Sequence, residues 1–369
     1  MPHQPRAETV GSLLRTEEII RAARGENGSD ASRVLDEAVL EAVKLQQDIG
    51  LDVITDGEMR RTGWAQTPRF VGCFESVPGR GALNWRDSEG RPVSPGPGGS
   101  RVGYPAVVRR VTGGHRTGNM TDEYAFLASR AQSRTKFTMA APSYHRRYWS
   151  DEHSRQVYRD CEEFLGEIRD YQRGVVRDLI ALGCDYVQLD APNYGSLCDP
   201  DTRAGLAAAG RDPDAETAFD AELDNSLFDG IDGVTTALHI CRGNAPGGAW
   251  HSTGGYGAIS GVLFPRLKFS RLLLEYDSDR AGGFEPLADV RPGTTVVLGL
   301  LTTKSDEPDD EADVAARIAE AARLKPREEL ALSTQCGFAS VPGANPVSPE
   351  GQRAKLDLVA RLARRTWGD

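Results

Sequence analysis

The sequence predicts an α/β fold, a (β/α)8 TIM barrel, that forms a single domain over residues 1–369. Short apolar segments alternate with helix-like segments along the chain, and this alternation occurs eight times. Several apolar segments are nearly continuous, as is typical of parallel strands that helices cover on both faces. A chain of 369 residues is an ordinary length for one barrel with insertions, and no boundary in the sequence separates a second domain.

The predicted strands share a composition rich in Val, Ile and Leu. They are Glu8–Ser12, Leu51–Asp56, Lys136–Ala141, Asp185–Asp190, Thr235–Cys241, Leu272–Asp277, Thr295–Leu301 and Leu330–Cys336. Amphipathic helical periodicity fills most of the intervals between them. The predicted helices are Ser32–Asp48, Asp151–Leu182, Ala215–Leu227, Asp310–Leu324 and Gly351–Thr366. In such a barrel the carboxyl ends of all strands meet at one rim, where the chemistry is found.

One interval is too long for a simple connection. The segment Thr62–Thr135, which follows the second strand, is rich in Gly, Pro, Arg and Ser, most of all over Pro92–Gly103. Long connections of this kind in compact domains are usually functional. We therefore expect residues 62–135 to form an inserted hairpin and a lid that closes over the barrel mouth and excludes water.

Composition and charge restrict the partners of the protein. The net charge of −10 argues against nucleic acid, whose phosphates require clustered Lys and Arg, and against an anionic membrane surface. No apolar run approaches the roughly 20 residues that span a bilayer, and Met1–Ala7 has no signal-peptide pattern. The six cysteines are scattered without a disulfide framework, which favours a reducing cytoplasm.

Metal-binding side chains end three of the predicted strands. The fifth strand ends in His239-Ile240-Cys241, where strand alternation places His239 and Cys241 on the same side. Glu275 lies near the end of the sixth strand and Cys336 ends the eighth. A single His-X-Cys would be weak evidence and Glu275 alone suits a structural ion pair, but together the four form a tetrahedral zinc set. The other cysteines are interpreted as core residues: Cys73, Cys161, Cys184 and Cys198.

The metal-site segments, with Gln335-Cys336-Gly337 at the eighth strand, resemble the zinc site of the cobalamin-independent methionine synthase family. The resemblance covers nearly the whole chain and matches the family's C-terminal catalytic barrel, so the sequence looks like a core-type member. Val10-Gly11-Ser12, Asp56-Gly57-Glu58 and Gln188-Leu189-Asp190 resemble three family segments that bind homocysteine. The resemblance implies a zinc cofactor held by His239, Cys241, Glu275 and Cys336, and substrate binding by Ser12, Glu58 and Asp190.

The residues support these roles in part without the resemblance. Glu58 and Asp190 follow strands two and four, so both carboxylates face one mouth and suit an ammonium group, although helix capping or loop bracing would equally explain them. A zinc ion with two cysteinates and one glutamate retains a net negative charge, which keeps a bound thiolate nucleophilic. Glu275 is the hardest of these ligands, and we expect it to yield when the substrate sulfur enters.

The part of the family pattern that concerns the alkyl donor is missing. Folate-using members carry a Trp at the end of the third strand, where Pro142 or Ser143 stands here. Their Asp-Glu-Pro motif reads Asp190-Ala191-Pro192, and the His that ends their seventh strand is absent from Leu300–Lys304. The donor could therefore be a methylfolate bound differently, a methylated corrinoid protein or small methyl compound, or an epoxide. The candidate proton donors are His145, Tyr144 and Lys304.

The predicted function is thus zinc-dependent alkylation of a small thiol by an alkyl donor, with an accessory or methyl-donor protein as a further partner. Homocysteine is favoured, because two carboxylates would repel the sulfonate of coenzyme M. An epoxyalkane–coenzyme M transferase-like activity is the alternative within the same zinc superfamily. Two other classes stay open, namely a metal-free barrel similar to uroporphyrinogen decarboxylase and a zinc-binding protein without catalytic activity.

Overall fold

Eleven short strands form two sheets in the computed structural model, which describes residues 4–26, 28–65, 72–78, 84–93, 105–111, 118–341, 343 and 346–368. The strands are β1 (Ala7–Glu8), β2 (Val53–Ile54), β3 (Phe74–Glu75), β4 (Ala106–Val107), β5 (Arg134–Thr135), β6 (Phe137–Ala140), β7 (Tyr186–Asp190), β8 (Thr235–Ile240), β9 (Arg271–Glu275), β10 (Thr295–Leu301) and β11 (Leu330–Thr334). Nine of them form one parallel sheet in the order β5-β2-β1-β11-β10-β9-β8-β7-β6.

This sheet closes into a barrel through the segment 134–140. Only Lys136 separates β5 from β6, and β5 pairs with β2 while β6 pairs with β7. The Lys136 amide also donates to the Ile54 carbonyl at 3.0 Å. The two short strands therefore act as one, so the barrel has eight strands, each of which overlaps an interval that the sequence predicts. The predicted (β/α)8 fold is confirmed.

Helices surround the barrel. They are α1 (Glu17–Ala23), α2 (Ala31–Ile49), α3 (Gly118–Arg130), α4 (Asp151–Ser154), α5 (Cys161–Ala181), α6 (Pro192–Cys198), α7 (Pro200–Ala208), α8 (Pro213–Ser226), α9 (Ser260–Leu263), α10 (Glu311–Ala321) and α11 (Pro349–Trp367). The predicted helix Asp151–Leu182 is two helices, because the Asp160 side chain accepts from the Glu163 amide and starts α5 there. Similarly, Ser348 caps α11 through the Gly351 amide. No helix within the described residues combines the length and apolar composition needed to cross a lipid bilayer.

Two kinds of side chain fill the inside of the barrel. An apolar layer is formed by Val10, Val53, Tyr186, Ala237, Leu273, Val297 and Ala331. Near the amino ends of the strands, the Glu8 carboxylate lies 2.6 Å from Lys136 Nζ and 2.7 Å from Arg271 Nη2. All three of these charged side chains are buried. A buried charge of this kind persists only when it is paired and hydrogen-bonded, as these are.

The long insertion after β2 is built from several pieces. Strands β3 and β4 pair antiparallel, and α3 packs against α2 and α5. Residues 84–93 pair with the loop after β8, since the Arg86 and Trp250 amides donate to each other's carbonyls at 2.7 and 2.9 Å. The predicted lid lies partly outside the described residues, at positions 66–71, 79–83, 94–104 and 112–117. Two described residues of the insertion, Trp64 and Trp85, line the pocket at the carboxyl ends of the strands.

Candidate metal centre and substrate cavity

Four potential metal ligands converge at the carboxyl ends of the strands. His239 lies in β8 and Cys241 follows it, Glu275 ends β9, and Cys336 follows β11. One ligand atom from each of these side chains lies within 4.8 Å of every other. The pairing of β8 with β9, and of β9 through β10 with β11, places these strand ends side by side. The four residues predicted as ligands are therefore brought together.

The geometry of the group fits a tetrahedral zinc ion. The sulfur atoms of Cys241 and Cys336 are 3.6 Å apart, close to the separation of about 3.8 Å for two sulfurs that each bind a tetrahedral zinc at ~2.3 Å. His239 Nδ1 donates to the Leu273 carbonyl at 3.1 Å, which leaves Nε2 unprotonated in the neutral ring. Among the described residues, the buried His239 Nε2 and Glu275 Oε2 atoms have no hydrogen-bond partner. Two orphaned acceptors beside two thiols are a donor set for a cation.

The pKa shifts of these four side chains also favour a bound cation. A hydrogen bond from Cys241 lowers the pKa of the Cys336 thiol well below its usual range and raises that of Cys241. Burial, followed by the negative charge of Cys336, raises the pKa of Glu275. Burial opposes the charged form of His239, but contact with Cys336 and the nearby Asp190 outweigh it and raise its pKa to about 9. These shifts favour retention of protons on His239, Cys241 and Glu275, and a divalent cation would take the place of those protons.

Neighbouring groups hold the ligands in place. Glu275 Oε1 accepts from the Arg242 amide at 3.1 Å, and Arg280 Nη2 lies 4.0 Å from Glu275 Oε2. Lys304 Nζ donates to the Gly243 carbonyl at 2.6 Å and to Asn244 Oδ1 at 3.0 Å. The predicted proton donor Lys304 therefore braces the loop that follows Cys241. Its side chain is not part of the cavity wall.

A cavity of about 210 Å³ opens directly beside the metal group. Its walls include three of the four candidate ligands and all three predicted substrate residues: His239, Cys241, Cys336, Ser12, Glu58 and Asp190. One cavity thus joins the metal-binding half and the substrate-binding half of the predicted site. A small molecule lying in it would contact both.

Ser12 links the first and the last strand at the floor of this cavity. Its Oγ accepts from the Ala339 amide at 3.2 Å, and its carbonyl accepts from the Phe338 amide at 2.7 Å. The chain passes so close that a β-carbon added at Gly337 would overlap the Ser12 Oγ. Glycine after Cys336 is therefore a steric requirement of this contact.

Glu58 adopts a strained backbone conformation. Among the described residues it is the one non-glycine residue with a positive φ, of 58°, and such strain is commonly found at functional sites. The Asp56 side chain accepts from the Glu58 amide at 2.9 Å and holds the turn. Glu58 Oε1 accepts from Thr138 Oγ1 at 2.8 Å and lies 3.4 Å from Arg61 Nη1. The Nε of Arg61 donates to Glu123 at 3.0 Å. Glu58 is thus oriented, and partly neutralised, before any ligand binds.

Asp190 is the second carboxylate of the cavity and ends β7. Its Oδ1 accepts from Gln188 Nε2 at 2.7 Å. Burial raises the pKa of Asp190 to about 7, since the attraction of His239 only partly offsets burial and the Glu58 charge adds to it. A cation bound beside Asp190 would counter this penalty. The position therefore favours a cationic group of a ligand.

The predicted proton donors lie in different environments. Tyr144 lines the cavity, whereas His145 does not. The His145 ring is buried with Nδ1 3.0 Å from the Ala141 carbonyl, and burial lowers its pKa to about 4. The ring is therefore neutral near pH 7 and turned away from the cavity. Its position gives no support to a role in proton donation.

Several cavity residues have no counterpart in the sequence-based prediction. The ring centroids of Trp64 and Tyr144 are 4.5 Å apart, and those of Trp85 and His251 are 5.2 Å apart. The Arg147 guanidinium carbon lies 4.3 Å from the centroid of the Tyr144 ring. They form an aromatic outer wall with one cation. Tryptophans within a polar Gly-rich insertion were the available signal for Trp64 and Trp85. Nothing in the sequence marks His251.

Comparison with known proteins agrees with this description. Fold and site define a TIM-barrel protein with a candidate metal centre at its rim. The sequence is 32% identical to the uncharacterized proteins YxjH, over 374 residues, and YxjG, over 377 residues, of Bacillus subtilis strain 168. Each alignment covers 98% of this chain and 94% of the relative, and the chain belongs to the family of these two proteins. No family model matches the sequence.

Solved structures of methionine synthases share the fold. A candidate vitamin-B12-independent methionine synthase from Listeria monocytogenes superposes with a TM-score of 0.69 at 24% identity over 100% of both chains. A B12-independent methionine synthase from Shewanella sp. W3-18-1, in complex with selenomethionine, gives 0.66 at 18% identity over 98% of both chains. A methyltransferase from Methanosarcina mazei gives 0.53 at 14% identity over 98% of this chain and 94% of its own. The family resemblance seen in the sequence is thus confirmed in the fold.

Proposed function

We propose that this chain is a zinc-dependent transferase that moves a methyl or other alkyl group to the sulfur of homocysteine, giving methionine when the group is methyl. The observation that carries the proposal is the single cavity that joins the four-ligand group to Asp190 and Glu58. A thiol that also carries an ammonium group would satisfy both halves at once. The fold shared with the Shewanella enzyme adds support, because its ligand selenomethionine is the selenium analogue of methionine.

The metal-binding half would prepare the nucleophile. His239, Cys241, Glu275 and Cys336 would hold the ion, and zinc in such a site lowers the pKa of a bound thiol and keeps its sulfur nucleophilic. The protein's part is to fix these ligands. The Leu273 carbonyl sets the tautomer of His239, and the Arg242 amide holds one oxygen of Glu275. Glu275 Oε2 accepts no hydrogen bond among the described residues and lies 4.0 Å from Arg280 Nη2, so it is available as a ligand to the ion.

The other half would bind the amino-acid end of homocysteine. Asp190, held by Gln188, pairs with the ammonium group, and Glu58 adds a second negative charge on the same wall. Ser12 offers a hydroxyl beside them. An ammonium between two buried carboxylates is a paired charge, whereas a sulfonate would be repelled there. Homocysteine is therefore favoured over coenzyme M.

The cavity is also lined by Trp64, Trp85, Tyr144 and Arg147, and the alkyl donor would bind beside them. When the group moves, the bond to its leaving atom breaks and a carbon–sulfur bond forms. A folate nitrogen or an epoxide oxygen that leaves must take up a proton, whereas the cobalt of a corrinoid keeps the electron pair and needs none. Of the three predicted proton donors only Tyr144 lies on the cavity wall. We retain Tyr144 for this role, with a small molecule or a donor protein as the source of the alkyl group.

A donor panel tests the proposal. Zinc-loaded protein is incubated with homocysteine and, separately, methyltetrahydrofolates, methylcobalamin or an epoxide, and thiol loss and product mass are followed. One donor should give a product that depends on zinc. Cys336→Ser should abolish it, and Cys184→Ser, a buried cysteine outside the cavity, should not. Turnover that persists without zinc, or consumption of coenzyme M in preference to homocysteine, contradicts the proposal.

A further inference from the structure

A continuous chain of buried polar side chains runs through the barrel interior to the cavity. Glu8 Oε1 binds Arg271 at 2.7 Å, and Glu8 Oε2 binds Lys136 Nζ at 2.6 Å. Lys136 Nζ also donates to Gln188 Oε1 at 2.8 Å, and Gln188 Nε2 donates to Asp190 Oδ1 at 2.7 Å. Every member is less than one-tenth exposed. Of these residues, only Asp190 contacts the substrate in the proposed function.

The direction of the hydrogen bonds along this chain is fixed. An ammonium group can only donate, so Lys136 must face the oxygen of the Gln188 amide. The NH2 group of Gln188 then points the other way, where it donates to Asp190 and, at 2.9 Å, to the Val10 carbonyl. With the amide reversed, its NH2 would meet the ammonium and its oxygen would meet a carboxylate. Lys136 therefore selects the amide orientation that supports an ionised Asp190.

The charges of the chain lead to the same conclusion. Two cations and one anion, Arg271, Lys136 and Glu8, leave one positive charge buried beneath the cavity floor. Burial lowers the pKa of Lys136, while the charge of Glu8 and, more weakly, that of Asp190 favour its protonated form. The Val10 carbonyl belongs to the segment that carries Ser12, so Gln188 links two of the three predicted substrate-binding segments. These hydrogen-bonded side chains thus connect the barrel interior to Asp190 on the cavity wall.

We propose that Lys136 and Gln188 are positioning residues that orient Asp190 toward the amino group of the substrate and so commit the site to amino-acid thiols. The inference rests on the proposed function and names its determinants of specificity. Neither side chain lines the cavity. Both act through Asp190, and their removal should change which ligand is preferred.

Ligand preference measures this role directly. Methionine and 4-(methylthio)butyrate, which lacks only the amine, are titrated by calorimetry into zinc-loaded wild type, Lys136→Met and Gln188→Met. The wild type should prefer methionine. Because a hydrogen bond to a charged group is lost, each variant should bind methionine about 10- to 100-fold more weakly, with binding of 4-(methylthio)butyrate unchanged.

Two further variants separate positioning from stability. Lys355→Met removes an equally buried lysine that bonds to the Glu307 carbonyl and to Asp309, away from the cavity, and should keep the preference. Lys136→Arg keeps a donor-only cation and should restore much of it. Gln188→Met leaves the Glu8–Lys136–Arg271 ion pairs intact, so it tests the link even if Lys136→Met does not fold.

The outcomes distinguish the positioning role from the proposed function. Variants that keep the wild-type preference, or that lose both ligands equally, overturn the positioning role while the proposed function stands. A wild type that does not prefer methionine contradicts the amino-acid thiol itself, and the positioning role falls with it. A preference lost in Lys136→Met and Gln188→Met but kept in Lys355→Met establishes the inference.

Discussion

Cys241 and Cys336 place their sulfur atoms 3.6 Å apart, one after β8 and the other after β11. Both cysteines are free, and this separation is much longer than the roughly 2.05 Å of a disulfide bond. It instead suits two sulfurs that share a metal ion with His239 and Glu275. The strand order β8-β9-β10-β11 brings the two cysteines to the same rim of the barrel.

Removal of either sulfur should therefore release the metal. We expect purified wild type to hold one zinc per chain, and Cys241→Ser or Cys336→Ser to lose most of it, because a hydroxyl is a poor substitute for a thiolate ligand. Inductively coupled plasma mass spectrometry and competition with a chromogenic chelator measure this. Cys184→Ser, which removes another buried thiol, is the control. Full occupancy in the double variant of Cys241 and Cys336 would refute the metal site.

Asp190→Asn should weaken homocysteine binding and leave the zinc content normal. The substitution removes the negative charge that pairs with the ammonium group while keeping the shape of the side chain. A lost partner in a buried charge pair costs about 2–5 kcal/mol of binding, so the apparent KM for homocysteine should rise steeply. The control is a thiol without the amino group, such as 4-mercaptobutyrate, whose KM should barely change. An equal effect on both thiols, or on neither, would remove homocysteine from this site.

The strand ends explain why the metal group could be predicted from the sequence. Side chains alternate along a strand, so His239 and Cys241 had to share a side, and the carboxyl ends of parallel strands meet at one rim. The same rule placed Glu275 and Cys336 there. These residues lie on, or next to, regular strands, where the alternation of side chains determines the face to which each side chain points.

Two of the three predicted proton donors, Tyr144 and His145, lie on a short 3-10 helix, Ser143–Tyr148, where no strand periodicity determines the direction of a side chain. In such a helix residues three apart share a face. Tyr144 and Arg147 therefore both line the cavity, while His145 and Tyr148 turn into the protein. His145 lies away from the cavity, so its predicted role gains no support from the structure. Likewise, Trp85 lines the cavity next to Arg86, whose backbone pairs with that of Trp250, a tertiary contact that no local pattern indicates.

Gly337→Ala should impair thiol binding by displacing Ser12. The new methyl group would overlap Ser12 Oγ, and backbone atoms of Ser12 surround the same point, so relief requires movement of the cavity floor. Overpacking of this kind typically costs about 1–3 kcal/mol. Gly261→Ala, where a β-carbon has open space, is the matched control. Homocysteine affinity at matched zinc content is the measurement, and an unchanged affinity in Gly337→Ala would show that Ser12 does not contact the ligand.

The last prediction concerns Glu8 and the stability of the barrel. Burial favours the protonated form of Glu8, but Lys136 and Arg271 outweigh it and lower its pKa to about 2. Glu8→Gln would leave these two cations buried without their anion, which should lower the free energy of unfolding by about 3–5 kcal/mol at pH 7. Denaturant titration followed by circular dichroism measures the loss. Glu37→Gln, which breaks a pair with Arg33, should change the free energy of unfolding far less, because water screens both exposed side chains.

The effect of Glu8→Gln should also depend on pH. The folded pKa of about 2 lies below the ordinary value of 4.5, so the stability contributed by Glu8 is fully present above pH 4.5 and is lost as the pH falls toward 2. The wild type should therefore lose more stability than the variant over this window, and the two denaturation midpoints should converge. Subtracting one midpoint from the other removes the pH dependence that comes from the carboxylates common to both proteins. A difference that stays constant from pH 7 to pH 2.5 would mean that the Glu8 ion pairs do not stabilise the folded barrel.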